Sequence, residues 1–150
     1  MSYPTIGDPS RRPPAPLPST TRFGRPEGYD ERIWQARVDL AAAYHLCHKF
    51  DFNEGVCNHL TVMVPGTTDR FLCIPYGLMW DEVTASNLLL LDETGTILEG
   101  EGSIDATAFF IHRAIHAAGA VAVLHTHQPH ASAICCTKEF KLHMCHQNCL

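Results

Sequence analysis

The sequence predicts a layered α/β domain with a substantially antiparallel sheet, and three observations carry that prediction. Two strand pairs are joined by tight turns, two segments with helical spacing lie around them, and one apolar run ends in His125-Thr126-His127. A doubly wound parallel sheet would alternate strand and helix throughout, which the two hairpins do not allow.

Asp30 to Phe50 places Ile33, Trp34, Arg37, Val38, Leu40, Ala41, Tyr44 and Cys47 largely at three- and four-residue intervals. Asp30 and Glu31 sit where a helix N-terminus favours negative charge, so a helix is expected over about residues 30–50. Leu60 to Val64 and Phe71 to Ile74 are β-rich runs around Pro-Gly-Thr-Thr-Asp, a hairpin that Pro75 closes. A second hairpin runs from Leu88 to Glu99, with Gly95 in its turn where a positive φ is needed. Asp105 to Ala118 reads as a second helix with Ala108, Phe109, Ile111, His112 and Ile115 on its inner face. Gly119 stops it, Val121 to His127 reads as a buried strand, and Pro129 opens a further helix to about Cys136.

The chain has 150 residues, which suits one domain. Residues 1–29 hold seven of the ten prolines with almost no large aliphatic side chains, so they predict a disordered Pro/Arg-rich tail ahead of a domain over 30–150. A net charge of -5 argues against a nucleic-acid partner. No apolar run is long enough to span a membrane and the N-terminus lacks the apolar core of a secretion signal, which predicts a cytoplasmic protein. Seven cysteines, an odd number, read as free thiols rather than a disulfide framework. Ten histidines against eleven Lys plus Arg are the unusual feature of the composition, and they point to metal or proton chemistry.

His125 and His127 are the sharpest local signal. On a strand the side-chain period is two, so both imidazoles project from one face at a spacing suited to a single metal ion. The same spacing also suits a hydrogen-bonded pair near a strand end. A catalytic zinc site needs three protein ligands and an open position. His112 and His116, four apart on the second helix, share a face; they read either as converging on one ligand or as one core histidine bonded to a carbonyl beside an exposed one. Asp105 reads as a helix-terminal charge or as a general acid/base.

Five pieces in order extend this reading: Asn58-His59-Leu60-Thr61, then Phe71 to Leu78, then Glu82 to Leu88, then His112-Arg113-Ala114-Ile115-His116, and finally Val123 to His127. Together they resemble the class II aldolase/adducin family from about residue 32 onward. The resemblance implies a three-layer α/β/α fold with a largely antiparallel central sheet, and a zinc ion held by three histidines beside an acidic residue that moves protons. It implies zinc ligands at His125 and His127, substrate binding at Asn58 and Gly77, and a catalytic carboxylate at Asp105. Cys57 and Tyr76 depart from the small residues of the phosphate-binding pattern, and Asp105 lies farther from His112 than the pattern's carboxylate.

The family's third histidine falls beyond residue 150, so the resemblance predicts a truncated domain, an incomplete zinc site and weak or no activity. His143 and His146 do not match that ligand, and His59, His112 and His116 are the first candidates for any substitute. The implied substrates are small hydroxy-carbonyl compounds or sugar phosphates, handled by a homo-oligomer when the domain is full length. The other branch of the family implies an adducin-like, non-catalytic domain that binds the actin cytoskeleton.

Overall fold

Asp30 starts the first helix as the sequence predicts. In the computed structural model, which describes residues 25–141 and 143, its Oδ1 accepts hydrogen bonds from the Arg32 and Ile33 amides. Such a cap stabilises a helix by about 1 kcal/mol. Helix α1 then runs Glu31–Lys49 and buries Trp34, Ala36, Arg37, Leu40, Ala41 and Tyr44. Most of the expected tail, residues 1–24, lies outside the described residues, but Tyr29 is docked against the domain. Its hydroxyl donates to Glu99 Oε2 at 2.6 Å and accepts from Arg37 Nε at 2.9 Å, and its ring packs edge-on to Trp34.

The hairpins form in the expected places. Strands β1 (His59–Met63) and β2 (Arg70–Cys73) pair antiparallel, as do β2 and β3 (Leu89–Asp92), and β3 and β4 (Ile97–Glu99). The turn between β3 and β4 is organised by Asp92, whose Oδ1 accepts from the Thr94 and Thr96 amides. Gly95 takes φ +89° there, and a Cβ on it would stand 3.0 Å from the Phe109 ring, so both conformation and space select glycine. A single 3-10 turn at Trp80–Glu82, which periodicity did not foretell, seats the fully buried Trp80 against Tyr44.

Helix α2 (Ala106–Ala117) follows, then β5 (Ala122–His125) and α3 (Pro129–Cys135). Strand β5 returns to pair antiparallel with β1, giving the sheet order β4-β3-β2-β1-β5. Every pairing is antiparallel, and α1 and α2 both pack on β1, as the α/β expectation requires.

Register and pleat decide what meets α2. His59, Thr61 and Met63 share one face of β1 with Phe71 and Cys73 of β2. On that face Phe71 stacks on Phe109 and His116 of the helix. The alternate residues Leu60 and Leu72 are completely buried in the apolar cluster that includes Tyr44 of α1.

Two local expectations are corrected. The buried stripe of α2 is Ala108, Phe109, His112 and His116, whereas Ile111 and Ile115 are exposed at 53% and 40%. The helix is rotated so that two imidazoles, which have polar partners on β1, turn inward in place of the two isoleucines. Strand β5 is likewise not buried: among the described residues it is a sheet edge, with Ala122, Leu124 and His125 exposed. It also ends at His125, two residues short of the expected run.

Candidate functional site

The β1–β5 register sets His59 directly opposite His125, on the face that looks toward α2. Cross-strand neighbours on one face lie within side-chain reach, so a histidine distant in sequence becomes the companion of the His-x-His pair. His127 follows beyond the strand end, where its backbone N–H donates to the Phe52 carbonyl at 2.8 Å. That bond brings the loop carrying Glu54 alongside, and Glu54 Oε2 lies 2.8 Å from His127 Nδ1.

The Nε2 atoms of His125 and His127 face each other at 3.1 Å. A carboxylate is an acceptor, so His127 Nδ1 carries the hydrogen of its bond to Glu54 and its Nε2 is left to aim at His125. A carboxylate behind an imidazole whose other nitrogen points into a shared space is the arrangement that orients metal-bound histidines. The donor set therefore fits two ligands of a divalent, nitrogen-preferring metal. Among the described residues no group of three or more His, Cys, Asp or Glu side chains is disposed to hold a metal. His59 does not supply a third donor to this pair: its Nε2 faces Nδ1 of His125 at 3.5 Å, behind the ring.

The two predicted substrate residues and the predicted carboxylate line one small cleft with His59. Asn58, Gly77 and Asp105 meet there, with Cys73 and Tyr76 on the walls. Asn58 is held between β1 and the Trp80 turn: its carbonyl accepts from Trp80 Nε1, and its Nδ2 donates to the Glu54 carbonyl at 3.3 Å. Its Oδ1 is buried and has no partner among the described residues. Gly77 sits at φ +90°, with open space where a Cβ would be. The cleft is shallow and exposed on the Tyr76 side.

Asp105 is the acid of this cleft and also the N-cap of α2, its Oδ1 accepting from the Thr107 amide at 2.6 Å and the Ala108 amide at 3.1 Å. Partial burial works to raise its pKa. The amides of Ala108 and Thr107, with His59 nearby, outweigh that and hold the carboxyl below its ordinary value. Desolvation, followed by the proximity of His125, lowers the pKa of His59; desolvation, followed by His127, lowers that of His125. His112, buried between His59 and Thr61, is pushed down to about 4, chiefly by desolvation. These rings are neutral near pH 7, the state in which an imidazole offers a lone pair.

Sequence spacing found His125 and His127. It missed Glu54, which lies in an irregular loop with no periodic signal, and Thr61, which reads as an ordinary strand residue. His112 and His116 are both buried on α2 and meet at Thr61 Oγ1; His116 is the core histidine bonded to a carbonyl, that of Ala120, but the expected exposed partner is not found, since His112 is buried as well.

Comparison with known proteins agrees with this fold. The Class II Aldolase and Adducin N-terminal domain matches residues 38–150. A crystal structure of an aldolase II superfamily protein from Pseudomonas syringae is 38% identical, with a TM-score of 0.71 over 77% of this chain and 47% of its own. L-fuculose 1-phosphate aldolase from Glaciozyma antarctica PI12 is 30% identical, with a TM-score of 0.64 over 73% of this chain and 48% of its own. An adducin-related protein of Schizosaccharomyces pombe is 40% identical over 118 residues, which is 73% of this chain and 36% of that protein. The chain thus spans half or less of the length of these relatives. With a family match over most of its residues, an all-antiparallel sheet in the same fold and the paired histidines at the end of β5, the chain belongs to the class II aldolase and adducin family.

Proposed function

We propose that these residues form the metal-bearing N-terminal part of a class II aldolase-like protein that acts on small hydroxy-carbonyl or sugar-phosphate-like substrates. The observation that carries this reading is the pair of Nε2 atoms at 3.1 Å with the Glu54 carboxylate behind one ring. His125 and His127 would hold zinc, which when bound polarises a carbonyl or enediolate oxygen. The remaining work falls to the cleft. The unpartnered Asn58 Oδ1 would accept from a substrate hydroxyl, and the side-chain-free turn at Gly77 leaves room for a small group to approach the backbone. Asp105, ionised at neutral pH and beside His59, would accept a proton there.

The described residues bring together two imidazoles, short of a catalytic set, and on that ground the 150-residue chain is expected to bind zinc weakly and to turn over little or no substrate. Calorimetry with zinc should show weak binding that His127→Ala abolishes. Deuterium exchange alpha to the carbonyl of dihydroxyacetone phosphate should be absent for the chain itself. It should appear when the chain is extended with the C-terminal half of the Pseudomonas syringae protein, and vanish again with His125→Ala. An extended, folded and zinc-loaded protein that exchanges no deuterium would overturn the catalytic reading.

A second reading, an adducin-like domain that binds the actin cytoskeleton, is favoured by one observation. The carboxylate of the cleft is engaged as a helix cap and held ionised, which rules it out as a proton donor near pH 7 and weakens it as a base. Cosedimentation of the extended chain with filamentous actin, without deuterium exchange, is the outcome that would favour it.

A further inference from the structure

The polar atoms around the cleft of Asn58, Gly77 and Asp105 are unevenly divided between donors and acceptors. Asn58 is 2% exposed and donates to the Glu54 carbonyl, a bond that only its amide nitrogen can make. The atom left over is Oδ1, a buried acceptor with no partner among the described residues. Asp105 adds a carboxylate to the same wall. Among the described residues no lysine or arginine lines the cleft to balance them.

The donors that could serve an anion are already engaged. The Thr107 and Ala108 amides at the start of α2 both donate to Asp105 Oδ1, so the helix terminus that would attract an anion holds the chain's own carboxylate. In the turn at Gly77 the Tyr76 amide donates to the Ser103 carbonyl at 2.8 Å and the Leu78 amide to the Pro75 carbonyl at 3.3 Å. That breaks the run of successive amides from which an anion nest is made. Cys73 Sγ donates to the Ile74 carbonyl at 3.4 Å. Both ring nitrogens of His59 are turned to other imidazoles, Nδ1 to His112 at 3.0 Å and Nε2 to His125 at 3.5 Å. The Gly77 amide has no main-chain acceptor among the described residues.

The volume enclosed, about 10 Å³, is that of one water-sized group. A hydroxyl brings a hydrogen for Asn58 Oδ1 and a lone pair for the Gly77 amide. A phosphate dianion has no hydrogen for Oδ1, sets like charge beside Asp105 and exceeds the enclosed space; an ammonium has no lone pair for Gly77. We propose that the cleft is a specificity pocket for the uncharged hydroxyl end of a small hydroxy-carbonyl compound and discriminates against the phosphate ester of that compound. The proposal rests on the proposed function for the reacting carbonyl and narrows its two substrate classes to one.

The test compares dihydroxyacetone with dihydroxyacetone phosphate on the zinc-free 150-residue chain, following the Asn58 side-chain amide and the Gly77 main-chain amide by NMR. Dihydroxyacetone should shift both signals saturably. The phosphate should bind about tenfold more weakly or worse, the effect of leaving one buried acceptor unpaired. Asp105→Asn, which removes the like charge but retains an acceptor for the helix cap, should narrow that ratio; an unchanged ratio would overturn the part assigned to Asp105. In the extended protein the same order should appear as a higher kcat/KM for deuterium exchange with dihydroxyacetone, the phosphate exchanging more slowly. Equal or tighter binding of the phosphate would overturn the proposal, and so would saturable shifts of the two signals by inorganic phosphate, or none by dihydroxyacetone. An extended protein that exchanges deuterium with neither compound while the binding order stands would count against the catalytic reading alone. A reversed order with exchange intact would count against the pocket alone.

Discussion

The Tyr44 hydroxyl satisfies both main-chain groups of Leu60, donating to its carbonyl at 2.6 Å and accepting from its amide at 2.8 Å. It does so beyond the last β1–β2 register pair, Thr61 with Cys73, where β2 has ended. A helix side chain thus completes a strand whose partner has run out, one residue from the histidine that faces His125. Tyr44→Phe fills the same space but leaves a buried donor and acceptor unmatched. We expect a loss of about 2 kcal/mol, read as a lower urea midpoint at an unchanged slope.

Acid should unfold the chain earlier than its carboxylates alone would require. His112 is pushed from an ordinary 6.5 to about 4 by desolvation, followed by its histidine neighbours. Between those values the unfolded chain takes up a proton that the native state refuses, so stability is full above about 6.5 and declines as pH falls toward 4. The decline from this ring is on the order of 3 kcal/mol. Urea unfolding from pH 7.5 to 4.5 should show it, with a flatter dependence in His112→Gln.

Asp105 can be divided into its two roles by substitution. Asp105→Ala removes the cap of α2 and should cost about 1 kcal/mol, whereas Asp105→Asn keeps an acceptor for the Thr107 and Ala108 amides and should cost much less. In the extended protein both substitutions should abolish deuterium exchange. Full exchange by the Asn variant would show that the carboxylate serves the helix alone.

Arg37 is a buried cation that ties three parts of the fold to α1. Its guanidinium reaches Glu99 at 2.9 Å, the Leu88 carbonyl at 2.7 Å and the Ala85 carbonyl at 3.3 Å. Arg37→Met should cost more than Glu99→Gln, because it strands the Leu88 carbonyl, while the half-exposed Glu99 can be hydrated. A difference of about 1–2 kcal/mol between the two urea midpoints is expected.

Much of the fold was legible because its signals are local. Asp30 and Asp105 precede apolar spacing and cap helices, and Gly95 marks a turn that only a positive φ completes. The rotation of α2 was not legible, because Ile111 and Ile115 outrank histidines on any apolar scale, while the polar partners that turn His112 and His116 inward lie on a strand some fifty residues earlier. The site divides in the same way. The spacing of two exposes His125 and His127, but Glu54, His59 and Thr61 join them only through strand register and a loop contact, which no local pattern encodes.

The pair of histidines lies at the end of the sheet's outermost strand among the described residues, held on one side by β1 and open on the other. Amide hydrogens on such a margin escape to solvent through small local openings rather than through global unfolding. Deuterium uptake should therefore be fast across Ala122–His125 and slow across His59–Met63, although the two strands touch. A metal ion bridging His125 and His127 would slow uptake on the outer strand first, so the order in which amides become protected reports occupancy residue by residue.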